Sequence, residues 1–74
     1  MSIGRRITAM RGYRMLTQEE LGGLVGVAKQ TVCNWENDRR IPRANEIREL
    51  CKVLECSSDY LLELVDDPSS HVKW

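Results

Sequence analysis

Thr17-Gln18-Glu19-Glu20-Leu21, Gly26-Val27-Ala28 and Val32-Cys33-Asn34-Trp35-Glu36 decide how this 74-residue chain folds. Thr17 has the chemistry of a helix N-cap, and Glu20 three residues later completes a capping box that opens a helix. That helix turns Leu21, Leu24 and Val25 toward a core and stops at Gly26, which enters the left-handed region at little cost. A second helix, about residues 28–37, buries Ala28, Val32 and Trp35 and leaves its polar residues on the opposite edge. The stretch therefore predicts two short helices joined by a tight glycine turn, the second with an unencumbered polar face.

Working outward, Ile3, Ile7 and Met10 recur at helical spacing and predict a first helix over about residues 2–14, with Gly12 weakening its last turn by roughly 1 kcal/mol relative to alanine. Pro42 closes the loop after the second of the central helices. Ile47, Leu50, Cys51 and Leu54 form an apolar stripe over about 44–54, opposite Glu46, Arg48, Glu49 and Lys52. Ser57 suits the cap of a fifth helix, with Asp59 in its first turn and Leu61, Leu62, Leu64 and Val65 following. No strand pattern competes. The expectation is an all-α, compact five-helix domain over residues 1–67, followed by a loosely ordered polar tail over 68–74.

Composition narrows the chemistry. A hydrophobic content of 42% without phenylalanine implies one small, mainly aliphatic core. The charge sums to zero but is unevenly placed: residues 1–43 carry eight arginines and lysines against four carboxylates, and residues 44–74 carry three against seven. A basic half binds phosphate regardless of the sum, because the field at the contacting face is what acts. Nothing resembles a signal peptide or a span of the roughly 20 apolar residues that a membrane requires. The cysteines, Cys33, Cys51 and Cys56, lack paired metal spacing, so the simplest expectation is a reduced, cytoplasmic protein without metal or cofactor. The single histidine, His71, falls in the expected tail, and Gly22-Gly23 lacks the lysine of a phosphate-binding loop. An enzyme, or a binder of small molecules, is hard to build from these residues.

With those residues placed, the chain resembles the Cro and phage-repressor family of helix-turn-helix domains over roughly residues 3–65. The matching positions are Arg11, Thr17 to Leu21, Gly26-Val27, Val32, Trp35-Glu36-Asn37, Arg40-Ile41-Pro42 and Asp59 to Leu62. Three positions depart from the family pattern. Met15 stands where glycine commonly ends the first helix, which requires a different turn or strain of about 1 kcal/mol. Ala28 replaces a Ser or Thr cap worth about 0.5–2 kcal/mol. Gly22 replaces a small residue, usually alanine, and preserves the clearance between the two central helices.

The resemblance implies a transcriptional regulator that binds double-stranded DNA, usually as a symmetric homodimer. Its base-reading positions fall on Lys29, Gln30 and Asn34, and the spacing of 30 and 34 agrees, since they lie one turn apart and opposite Val32 and Trp35. Gln and Asn can pair with adenine N6 and N7, and Lys can donate to guanine O6 and N7. Thr31 suits either a thymine methyl or a phosphate. Gln18, at a helix N-terminus, suits a phosphate, and the resemblance gives it the added task of bracing Lys29. Arg39, Arg40 and Arg43 are phosphate candidates, with Asn37 beside them. The resemblance also pairs Arg11 with Glu36 in a structural ion pair. Tyr60, Leu64, Val65 and Trp74 (with Val72) are dimer candidates or core residues. A rival reading keeps the fold and makes it a protein-interaction module, an antitoxin or regulatory adaptor.

Overall fold

The computed structural model describes residues 2–62. Five α-helices follow one another: α1 Ile3–Tyr13, α2 Gln18–Val25, α3 Lys29–Glu36, α4 Ala44–Leu54 and α5 Ser58–Leu61. No strand occurs among the described residues. The all-α, five-helix expectation is met, with helix boundaries within a residue or so of those anticipated for the first four.

Local chemistry starts and stops these helices. Thr17 Oγ1 accepts from the Glu20 backbone N–H at 3.0 Å, and Glu20 Oε1 accepts from the Thr17 N–H at 2.9 Å, which completes the capping box. Glu46 does half of the same work for α4, accepting from the Arg43 N–H at 2.7 Å. Ala28 heads α3 without a side-chain cap, as its methyl group dictates. At the other ends, Gly26 closes α2 in the left-handed conformation, but Met15, Asp38 and Glu55 adopt the same conformation as non-glycine residues. At α1 the Leu16 N–H reaches the Arg11 carbonyl at 3.1 Å and the Met15 N–H reaches Gly12 at 3.0 Å. At α3 the Arg39 N–H reaches Asn34 at 2.9 Å and Asp38 reaches Trp35 at 3.1 Å. Both are Schellman closures, which satisfy carbonyls that the helix leaves without partners.

The core is one cluster of Ile7, Met10, Leu21, Val32, Trp35, Leu50, Leu54, Cys56 and Leu61. Trp35 is fully buried at its centre. α3 packs against α2 and α1, α4 against α2 and α5, and α5 returns to α1. The approach of α1 to α3 is close enough to require Gly4. A Cβ there would lie 2.4 Å from the Trp35 carbonyl oxygen and 2.8 Å from that of Glu36. The Gly4 N–H instead donates to Asp38 Oδ1 at 3.3 Å, which sets a carboxylate at the positive end of α1.

Two core assignments fail, and one apolar residue of the fifth-helix segment faces outward. Leu24 is 58% exposed, because the buried side of α2 runs through Leu21, Gly22 and Val25 and position 24 falls on its flank at 100° per residue. Ala28 is exposed, since it sits ahead of α3 as the N-cap rather than on its inner face. Leu62 is 47% exposed, just past the last turn of the four-residue α5. Conversely, Arg6 is 5% exposed, a burial that its charge concealed. Leu64, Val65, His71, Val72, Trp74 and the expected tail over 68–74 lie outside the described residues.

Candidate nucleic-acid interface

The interface is built on the edge of α3 that the core leaves alone. Lys29 and Gln30 are exposed, and Thr31 and Asn34 half-buried, while Val32 and Trp35 face inward. The Gln30 Nε2 donates to Asn34 Oδ1 at 3.1 Å across one helical turn. Gln30 and Asn34 thus stand together on one polar edge, with Lys29 and Thr31 flanking it in the first turn.

A charged hub holds that edge at its angle. Arg11 Nε donates to Glu36 Oε2 at 2.6 Å and Nη2 to Oε1 at 3.2 Å, a two-pronged ion pair between α1 and the end of α3. Arg11 Nη1 also donates to the Leu16 carbonyl at 2.8 Å. Burial pushes the Glu36 carboxyl up, but the Arg11 and Gln18 hydrogen bonds and the Arg11 charge more than offset it. Its pKa ends below the ordinary 4.5. The same hydrogen bond raises the Arg11 guanidinium further above its usual value.

Gln18 is placed differently from the family's bracing role. Its Nε2 donates to Glu36 Oε1 at 3.1 Å, so the amide braces the hub rather than Lys29. Gln18 and Lys29 instead share an open groove of about 680 Å³ with Arg11 and Thr17. The groove lies at the N-terminus of α2, whose first N–H groups have no acceptor inside the helix.

Arg39, Arg40 and Arg43 are exposed in and beside the α3–α4 loop. Arg40 Nη2 lies 4.0 Å from Glu46, a contact worth little at such exposure. Asn37 Nδ2 turns back to the Cys33 carbonyl at 2.9 Å and sulfur at 3.3 Å, so that side chain closes its own helix.

The structure divides the basic half in a way that counting charges missed. Arg6 Nη1 donates to the Tyr60 carbonyl at 2.8 Å and its guanidinium lies 4.5 Å from the Tyr60 ring centroid. Arg14 Nε donates to the Leu54 carbonyl at 2.9 Å at the end of α4. With Arg11 in the hub, three arginines in and just after α1 hold the fold, and Arg5, Lys29, Arg39, Arg40 and Arg43 remain on the surface. The only signal for this was position, since Arg6 and Arg14 are spaced to follow the Ile3–Met10 stripe. Tyr60 is half-buried against the core and stacked on Arg6.

No group of metal-ligating side chains occurs among the described residues. Burial pushes the Cys51 and Cys56 thiols up, Cys56 to about 12 with Cys51 beside it. Both therefore stay protonated and pack as small apolar groups. Among the described residues no helix is long and apolar enough to cross a membrane.

A helix-turn-helix family model matches residues 7–61. The chain belongs to the helix-turn-helix family of Cro and phage-repressor type. Repressor protein C2 of Salmonella phage P22 is 38% identical over 61 residues, which are 82% of this chain and 28% of that repressor. The transcriptional regulator YobD of Bacillus subtilis is 30% identical over 69 residues, 93% of this chain and 62% of that protein. The chain therefore spans less than two thirds of either relative. The structure of the P22 c2 repressor with a synthetic operator superposes with a TM-score of 0.80 at 36% identity, covering 82% of this chain and 92% of that one. SinR in complex with DNA gives 0.76 at 30% identity, covering 81% and 97%. These relatives are regulators and DNA-binding domains, not enzymes.

Proposed function

We propose that this chain is a sequence-specific DNA-binding transcriptional regulator, a repressor, which lays α3 in the major groove of a pseudo-palindromic operator. One observation carries this reading: the edge bearing Lys29, Gln30, Thr31 and Asn34 stands clear of the core, with exposed arginines beside it. The P22 c2 repressor, bound to its synthetic operator, supports it by likeness of fold and sequence. Lys29, Gln30, Asn34 and Thr31 would meet base edges. Gln18, Asn37, Arg39, Arg40 and Arg43 would set the register on phosphates.

One such module buries only about 600–1,000 Å² on DNA, so the working form is a homodimer whose recognition helices read half-sites roughly 10 bp apart. Such a regulator works in the cytoplasm, where its DNA is and where free thiols persist. Residues 1–67 would form the DNA-binding unit.

Selection of bound sequences from a random duplex library, followed by gel shifts at rising salt, tests the proposal. Enrichment of one pseudo-palindrome is expected. Affinity should fall steeply between about 50 and 200 mM salt, as roughly 4–6 phosphate contacts per subunit release counterions. A chain with no affinity for any duplex at low salt would sink the proposal and favour a protein partner.

A further inference from the structure

Cys51 and Cys56 stand on either side of the end of α4, yet their sulfurs are neighbours. Glu55 closes the helix in the left-handed conformation, at φ 55, and the Cys56 N–H reaches back to the Cys51 carbonyl at 3.2 Å. This reversal lays one side chain beside the other, where a helix end commonly carries an apolar contact. Here both partners are thiols, and the Cys56 S–H donates to Cys51 Sγ. The turn needs only two apolar groups, so it does not by itself account for two sulfurs.

The pair is not sealed in the core. Cys51 is half-buried and Cys56 is 9% exposed, and both line an open groove of about 480 Å³ with Ala44, Ile47, Arg48 and Lys52. Arg48 and Lys52 bring positive charge to this groove, and the Arg14 charge also acts on Cys56 in favour of its thiolate. Two thiolates around a monovalent cation carry one net negative charge, which these side chains offset.

Three or more metal-ligating side chains come together nowhere among the described residues, so the four-ligand sphere of zinc cannot be built from them. A soft d10 monovalent cation asks for less, because thiolates select it over hard ions and two of them in line suffice. We propose that Cys51 and Cys56 form a two-thiolate site for a soft monovalent cation of the copper(I) class, which ties the start of α5 to the end of α4. Both thiols are protonated in the metal-free chain, which makes them slow to attack oxidants and favours metal capture over a disulfide. Binding releases one proton from each sulfur and moves no electron. Because the Tyr60 carbonyl of α5 takes the Arg6 bond at 2.8 Å, a clip at the start of α5 also steadies its contact with α1. None of these residues is among those proposed to meet DNA, so the inference stands apart from that reading.

The test uses the full chain carrying Cys33→Ser, which leaves the pair as the only thiols. It is titrated without oxygen, in a non-thiol reductant, with silver(I) as a redox-silent probe of the same class. One silver ion per chain, two released protons and a higher melting temperature are expected, with X-ray absorption showing two sulfur neighbours. Cys51→Ala and Cys56→Ala should each weaken binding about 100-fold or more, since loss of a supporting contact alone costs up to that much. Zinc(II) at the same concentration should leave the melting curve unmoved.

Equal silver affinity in either alanine variant, an ion shared between two chains, or zinc bound as tightly as silver would each overturn the proposal. Should an alanine variant melt below the working temperature, the sulfur count in the Cys33→Ser chain decides alone: two sulfurs support the site and one removes it.

Discussion

Glu36 is where most of the molecule's polar organisation converges. Its carboxylate takes two bonds from Arg11 and one from Gln18, so α1, the start of α2 and the end of α3 share one anchor. Only 6% of its side chain is exposed, against 20% for Arg11. Glu36→Ala should therefore cost about 2–3 kcal/mol, mostly from an arginine left without its counter-charge. Thermal melting measures this, and unchanged stability would refute the anchoring role. The same group makes stability depend on pH in a known direction. Its folded pKa is depressed, so its contribution is fully present at neutral pH and declines as pH falls below the ordinary 4.5, where the unfolded chain takes up the proton first. Glu36→Gln should flatten that acid limb. Met15 presents a simpler case. It holds φ 59 and is 88% exposed, so little packing offsets the strain of roughly 1–2 kcal/mol. Met15→Gly should stabilise by about 0.5–1 kcal/mol after the added freedom of the unfolded glycine is deducted. Asp38, at the same φ, should show no such gain, because glycine there would lose the bond to the Gly4 N–H.

Among the elements, α3 is the least provided for at its start and the most constrained at its end. Ala28 offers no cap, whereas the other end carries the Schellman closure, the Asn37 amide and the Glu36 hub. Ala28→Ser should add about 1 kcal/mol by accepting from a first-turn N–H. The gain should appear in chemical denaturation as a higher midpoint with an unchanged slope. This asymmetry suits a recognition helix: its C-terminal end is fixed to the domain while its first turn, bearing Lys29 and Gln30, projects outward. The capping box of α2 was legible because its partners lie three residues apart. The Asp38–Gly4 bond, spanning 34 positions, was not.

For the molecule as a whole, the division of the arginines separates stability from affinity. Arg14→Ala should cost about 1–2 kcal/mol of stability, since it uncaps the end of α4. Arg40→Ala should leave the melting temperature nearly unchanged, weaken binding to all duplexes alike and lower the salt slope by about 1. Finding the two phenotypes exchanged would overturn this division. Much of the acidic half, Glu63, Asp66 and Asp67, lies outside the described residues.

The order and type of the helices, the turn at Gly26, the polar edge of α3 and the pairing of Arg11 with Glu36 followed from local spacing and resemblance. Period and capping act within a few residues, so one chain read in isolation carries them. Tertiary structure alone decided that Arg6 is buried, that Arg14 caps a helix 40 positions away, that Leu24 and Leu62 face outward, and that Gln18 braces Glu36. Each depends on which elements meet and at what angle. A side chain's hydrogen-bond partners across the core are set by that geometry, to which spacing along the chain is blind.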